Sequence, residues 1–422
     1  MIEHTVLPFK LAATHDSITP HAGLALFGEF LCGIKLAASI DLHLPAPGSG
    51  AGYSPSAFVA PLLLMLHGGG RALEDLRELR ADAPLRDLLG LDEIPSPDAV
   101  GDWLRRMGSG RGLSGLGEVN GELVGRMLAL EARCDYTLDI DATMIEAQKR
   151  EAAWTYKGFK GYAPMLGHLA ENGLVVHDEF RTGNDSPQSR NLEFLRECVS
   201  RMPAGKRIAR FRSDSAGYQA KVLDYCEDQG IEYAIGADLD EGVRKSLFSV
   251  DQWREYQDGL IGETVHSMNA SKGSFRLIAV KRPSQLSLFV ESSPRIKVIA
   301  TNREGSAEEV LAWYNQRGEC SENRIKELKL GLGMERMPCG DLAGNAAFFR
   351  IGVLAYNLFI LFRSAALPDS WSRYQLATVR WKLYQAAGKM VGHGNRVWLK
   401  IRGWWLELFA SIRRRVYAFS LG

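Results

Sequence analysis

Residues 313–329 read Trp313-Tyr314-Asn315-Gln316-Arg317-Gly318-Glu319-Cys320-Ser321-Glu322-Asn323-Arg324-Ile325-Lys326-Glu327-Leu328-Lys329. This run puts Tyr, Arg, Glu and Lys at fixed intervals along one helix, with Glu322 and Lys329 two turns apart on the same face. Two upstream acids end strand-like segments. From residue 134 the chain alternates, with Tyr136, Leu138 and Ile140 facing one way and Thr137, Asp139 and Asp141 the other, as in a half-buried strand. A second strand, Arg207–Arg212, runs into Ser213-Asp214-Ser215-Ala216-Gly217. Three carboxylates converging from separate elements can seat two Mg²⁺ or Mn²⁺ ions, which take hard oxygen ligands and promote in-line phosphoryl displacement.

Each acid also has an ordinary reading. Asp141 would cap a turn, Asp214 would N-cap the next helix, and Glu322 would belong to a solvated face with Glu319, Lys326 and Glu327. The element order favours the joint reading. Strand candidates at 136–141, Met165–Ala170 and Leu174–Phe180 come first, the last two joined at Asn172-Gly173, a strong hairpin signal. A helix at Ser189–Arg201, the strand at Arg207–Arg212, a helix at Val222–Gln229 and a strand at Tyr233–Gly236 follow. Three strands, helix, strand, helix, strand is the order of a ribonuclease H-like sheet, whose first and fourth strands lie side by side. That places Asp141 beside Asp214. The last helix, Ala307–Leu330, is delayed by residues 238–300, where strand-like runs at Phe275–Lys281, Leu286–Glu291 and Lys297–Ala300 predict an inserted β-rich subdomain.

The fold class is therefore α/β, a ribonuclease H-like mixed sheet with helices, interrupted by a β-rich insertion and preceded by a helical N-terminal domain. We divide the chain into a helical N-terminal domain (1–130), a first core segment (131–238), the insertion (239–304), a core completion with the catalytic helix (305–365) and a basic aromatic C-terminal region (366–422). In the first segment, Ser96-Pro97-Asp98 reads as an N-cap opening a helix through Trp103, Arg105 and Arg106, one candidate for a DNA-reading helix. Gly108–Gly117 follows no strand and reads as a flexible connection, not a dinucleotide loop. His67-Gly-Gly-Gly70 reads as a helix end.

With 422 residues, 46% apolar and 24% charged, the chain can build two or three cores. The most apolar run, Phe348–Phe362, reads as a buried helix too short to span a membrane. The N-terminus lacks an export signal, and six scattered cysteines form no zinc-ligand pattern, so cytosolic placement is expected, in a bacterial nucleoid-associated setting. The net charge of +1 hides a segregation. Residues 371–422 carry ten basic side chains against Glu407 alone, whereas residues 1–130 carry ten basic against fifteen acidic. The basic tail is interleaved with Trp371, Tyr374, Trp381, Tyr384, Trp398, Trp404 and Trp405, a composition suited to nucleic-acid backbone and base contacts, or to an amphipathic helix packed by its aromatics.

Thr137-Leu-Asp-Ile-Asp141-Ala-Thr143, Phe211-Arg-Ser-Asp214-Ser and Tyr314-x₂-Arg317-x₄-Glu322-x₆-Lys329 resemble the DDE transposases of bacterial insertion sequences that carry a Tyr-Arg-Glu-Lys signature. The nearest branch by these motifs is the group 1 DDE transposases, akin to piggyBac elements. The likeness covers residues 130–365, including Gly158-x₂-Gly161-Tyr162, Thr301-Asn302 and Ala355-Tyr356-Asn357-Leu358. It implies a metal-dependent enzyme that cuts double-stranded DNA at terminal inverted repeats and joins the ends to target DNA, acting as a homodimer and needing no membrane. It further implies Asp141, Asp214 and Glu322 as the triad for two Mg²⁺ (or Mn²⁺) ions, and Tyr314, Arg317 and Lys329, with Lys326 beside them, on phosphates near the cut. The Arg317-to-Glu322 spacing is one residue longer than the signature, which keeps Glu319 open beside Glu322. Asp139 stays open beside Asp141. In related transposases the insertion helps form a hairpin at the transposon end, and here Trp253 or Tyr256 would stack a flipped base. Two other functions remain for such a chain: an inactive host-retained DNA-binding derivative, or a structure-specific nuclease on the same fold.

Overall fold

Capping residues set the N-terminal helices. Ser54 Oγ accepts from Ala57 N (3.4 Å), Asp82 Oδ1 from Leu85 N (3.1 Å) and Ser96 Oγ from Ala99 N (3.2 Å), each with a proline in the first turn, where a missing N–H costs nothing. In this computed structural model, which describes residues 7, 9–48, 50, 52–283, 295–394 and 396–421, a short strand β1 (Ile18–Thr19) precedes α1 (Leu24–Gly33), α2 (Leu36–His43), α3 (Pro55–Gly68), α4 (Leu76–Ala81), α5 (Ala83–Leu89), α6 (Pro97–Gly108) and α7 (Gly112–Ala129). The glycine-rich stretch is thus mostly helix. Only residues 109–111 connect α6 to α7, and Gly112, Gly115 and Gly117 are helical and buried. A Cβ at Gly115 would lie 2.4 Å from the His43 carbonyl oxygen, so these glycines admit close packing of neighbouring chain.

The core follows: β2 (Asp135–Ala142), the short β3 (Ile145–Glu146), β4 (Ala153–Trp154) and β5 (Lys160–Tyr162), then β6 (Met165–Leu169), β7 (Val175–Glu179), α8 (Asn191–Ser200), β8 (Arg207–Ser213), α9 (Ala220–Asp228) and β9 (Glu232–Ala237). Gly173, at φ +87°, turns the β6–β7 hairpin as the Asn-Gly pair predicts. After α10 (Glu241–Phe248) come β10 (Arg254–Tyr256), β11 (Gly259–Ser267), β12 (Ser274–Arg282) and β13 (Arg295–Thr301). One nine-stranded sheet results, in the order β10-β11-β12-β13-β9-β8-β2-β6-β7. Its half β9-β8-β2-β6-β7, with β2 parallel to β8 and β8 parallel to β9, is the expected ribonuclease H-like arrangement.

The β-rich insertion is joined to the core sheet. β13 pairs antiparallel with β9, so the insertion's strands continue the core sheet. β9 would otherwise expose a row of unpaired backbone groups, and the insertion covers that edge. The run Leu286–Glu291 lies outside the described residues.

α11 (Ala307–Lys326) crosses the sheet, contacting β2, β8, β9 and β11, and passes into a π-helical turn over Glu327–Gly331. α12 (Leu342–Ala365) is longer than the apolar run suggested and is long and apolar enough to cross a membrane, yet 94% of its most apolar window is buried within the fold. It packs on α3, α6, α7 and β7, so helical layer and sheet share one core. Then α13 (Leu376–Val379), the hairpin β14 (Gly388–His393) and β15 (Arg396–Lys400), and α14 (Gly403–Leu421) return to the start of the chain. β14 pairs with β1, and α14 lies on α1 with Arg413 forked onto Glu29 (2.8–3.0 Å).

Candidate active site

β2 and β8 are in register at Asp139↔Arg212. Two residues further along stand Asp141, in β2, and Asp214, in extended backbone one residue past the end of β8. Asp141 is partly buried, and its carboxyl is pushed up to about 6, first by burial and then by the negative charge of Asp214, against the pull of Arg317. Arg317 Nη1 lies 3.6 Å from Asp141 Oδ2. Asp214 Oδ1 accepts from Ala216 N (3.1 Å), so this residue does cap the following turn while its side chain stays exposed. The capping and functional readings of Asp214 are compatible, because one oxygen serves the turn.

α11 brings the rest. Tyr314 is buried with its hydroxyl against Gly236, where a Cβ would meet it at 2.9 Å, and both Asp214 and Asp141 are close enough to influence it. Arg317 keeps Nε and Nη1 buried, neither making a hydrogen bond among the described residues, and Nη1 stands at ion-pair distance from Asp141. Glu322 is exposed. Lys329 lies in the π turn and donates to the Met144 carbonyl (2.7 Å), three residues past Asp141. The π turn thus lies against the carboxyl end of β2, whereas Glu322 forms no metal-binding group with Asp141 and Asp214 among the described residues. Among the described residues no three His, Cys, Asp or Glu side chains are close enough together to form a metal site, and the Glu319 side chain lies outside the described residues. The donor chemistry fits a divalent cation at Asp141 and Asp214: adjacent hard carboxylates whose repulsion a cation would relieve.

Other expected residues sit apart from this cluster. Asp139, the competitor of Asp141, is fully buried and holds Arg212 through both oxygens (2.7 and 2.8 Å). Arg105 pairs with Asp102 and with Asp341 (3.2 Å), which itself caps α12, so Arg105 joins α6 to α12. Arg106 and Lys326 are exposed. Trp253 packs within the insertion, against Gly262 and under the Lys281 amine, 3.5 Å from the ring centroid. Sequence reading missed Lys297, from β13, whose amine lies over the Tyr314 ring (4.8 Å) and donates to Asn315 (2.7 Å). It belongs to no motif. It also missed Arg212, though its position two before Asp214 mirrors that of Asp139 before Asp141.

The family model for the transposase DDE domain, group 1, matches residues 8–410. The chain belongs to this family. It is a DDE transposase, a metal-dependent DNA-cleaving enzyme. Among solved structures, this transposase is similar to the piggyBac transposase synaptic complex with hairpin DNA determined by cryo-electron microscopy, at 10% identity and a TM-score of 0.46 over 86% of this chain and 79% of that one. No curated protein sequence matches it.

Proposed function

We propose that the transposase cuts double-stranded DNA at the terminal inverted repeats of its own element and transfers the ends to target DNA by a cut-and-paste route, as a homodimer, in the bacterial cytosol. Asp141 and Asp214 would hold two Mg²⁺ or Mn²⁺ ions together with Glu322. Such ions supply a polarised scissile phosphate and a nucleophile of lowered pKa. The observation that carries the reading is the adjacency of Asp141 and Asp214 at the ends of neighbouring parallel strands, where burial and mutual repulsion hold the Asp141 carboxyl near 6.

The chain's own residues have separable tasks. Arg317, whose guanidinium stands beside Asp141, would bind a non-bridging phosphate oxygen and fix the phosphorus over the carboxylates. Tyr314 supports that guanidinium from below, its ring centroid 5.9 Å away. Lys329 would add charge on the Glu322 face, and the exposed cations of α6 and of the C-terminal region would follow the DNA backbone. The insertion, if it works as a unit in DNA binding, would do so at the far edge of the same sheet.

The test uses duplex DNA bearing the inverted repeat read from the gene's flanks. Asp214→Ala should reduce Mg²⁺-dependent cleavage by at least 10³-fold while leaving end binding within a few-fold, because it removes a metal ligand and no phosphate contact. Nicking by this variant at the wild-type rate would refute the assignment. A pre-cut end with a 3′-hydroxyl should be joined to target DNA; cutting without joining would indicate a nuclease.

A further inference from the structure

Beneath the carboxylates lies a buried polar layer that reaches the helix above it. Arg212 is 2% exposed and Asp139 is fully buried, and Arg212 grips both Asp139 oxygens. The third arm of the same guanidinium, Nη1, donates to the Trp313 carbonyl of α11 at 2.6 Å, one residue before Tyr314. On the neighbouring strand β6, His168 is register partner to Asp139, its Nε2 3.9 Å from Asp139 Oδ2 and 3.2 Å from Ser321 Oγ. Ser321 is fully buried and adjoins Glu322 in the chain. Hydrogen bonds from Arg212 to Trp313 and between His168 and Ser321 thus hold the helix at two points eight residues apart, on either side of Arg317, while His168 and Asp139 stand side by side beyond hydrogen-bond reach.

A buried ion pair is a poor source of stability, because desolvation offsets most of its attraction, so its presence calls for another reason. Here the reason is geometric. Asp139 and Arg212 each precede a reactive-site carboxylate by two residues, Asp141 within β2 and Asp214 just past β8, so fixing their distance constrains that between Asp141 and Asp214. A guanidinium is planar and forked, so holding two carboxylate oxygens leaves its remaining arm aimed in one direction. We propose that the Asp139–Arg212 pair, with His168 and Ser321, is a positioning device that sets the rotation and height of α11 over the Asp141–Asp214 edge. It touches no substrate. The inference rests on the transposase reading above for its readout.

The experiment compares single-turnover cleavage, end affinity and amide exchange across α11 in wild type, Arg212→Lys, the apolar double variant D139L/R212M and the control Arg350→Lys. Lysine keeps the charge but loses the fork and the bond to Trp313. The double variant removes both charges at similar volume and is the one expected to retain stability. Arg350 makes a comparable charged contact with Asp178, its Nε donating to both oxygens (3.0 and 3.1 Å) and Nη2 to the Asp178 carbonyl (2.6 Å), but from α12 to β7, and its loss samples the same kind of damage away from α11.

Both Arg212→Lys and the double variant should cleave at least 10-fold more slowly at saturating DNA, with end affinity within about threefold of wild type and faster exchange confined to α11. Arg350→Lys should cleave within about twofold of wild type. A double variant with the wild-type rate, or a rate loss shared equally by Arg350→Lys, would overturn the positioning role. Should the double variant not fold, Arg212→Lys against Arg350→Lys decides alone. Wild-type cleavage of the same DNA tests the function itself, independently of these ratios.

Discussion

Asp141 is where the electrostatics of this transposase concentrate. Its folded-state pKa of about 6 lies above the ordinary 3.8, so the contribution of this group to stability is full below the ordinary value and is lost as pH rises through 6. At neutral pH the metal-free protein therefore carries a charge it would be more stable without. Asp141→Asn should raise the melting temperature in EDTA at pH 7.5, by an amount reflecting about 1–3 kcal/mol, with the gain shrinking as pH falls through 6 and gone below the ordinary value of 3.8, while cleavage is lost. A wild type that melts higher than the variant at pH 7.5 would count against this account. The same proton competes with metal: Mn²⁺ affinity, measured by calorimetry, should fall about tenfold per pH unit below pH 6 and level off above it. The motif made Asp141 legible in the sequence, but not the difference between it and Asp139. Both alternate onto one strand face, and only the fork with Arg212 shows that Asp139 is already committed.

At the scale of elements, α11 is built to start in one place. Ser306 and Glu309 form a capping box, Ser306 Oγ accepting from Glu309 N (3.3 Å) and Glu309 Oε2 accepting from Ser306 N (3.0 Å). Ser306→Ala should cost about 1 kcal/mol in urea unfolding. At its other end the helix widens into a π turn, a feature often found at functional sites, and Lys329 in that turn is bonded to Met144 O. For a phosphate contact, Lys329→Ala should lower the slope of log affinity against log salt by about one. An unchanged slope with slower cleavage would assign Lys329 to bracing Met144 alone. The helix and strand order was readable because periodicities of 2 and 3.6 are local. That the insertion's strands continue the core sheet was not, since strand pairing across tens of residues leaves no local signature.

Across the whole molecule, the two ends of the chain are one structure. Arg380, from the C-terminal region, donates to the carbonyls of His67 (2.8 Å), Leu66 (3.1 Å) and Gly331 (3.0 Å), tying the end of α3 to the π turn after α11. Arg380→Ala leaves those carbonyls short of donors in a largely buried place and should cost about 2–4 kcal/mol, with unfolding still a single transition by circular dichroism and tryptophan fluorescence. Two separate transitions would show that the helical layer and the sheet fold independently. The basic, aromatic composition of residues 371–422 suited nucleic-acid contacts or an amphipathic helix packed by its aromatics. Phe409, Ile412 and Val416 of α14 are buried, while Trp398 and Trp404 are exposed, so the segment both packs and presents aromatic surface.

By itself the sequence determined the kind of element at each place, the acids at the strand ends and the spacing on one helix that marks the family, because backbone preference and side-chain periodicity act over a few residues. Only the tertiary structure decided which aspartate is locked to an arginine, how the insertion caps the sheet, and that α12 serves as a shared core and not as a span. Those outcomes depend on which distant groups satisfy one another once water is excluded, and no local pattern encodes that choice.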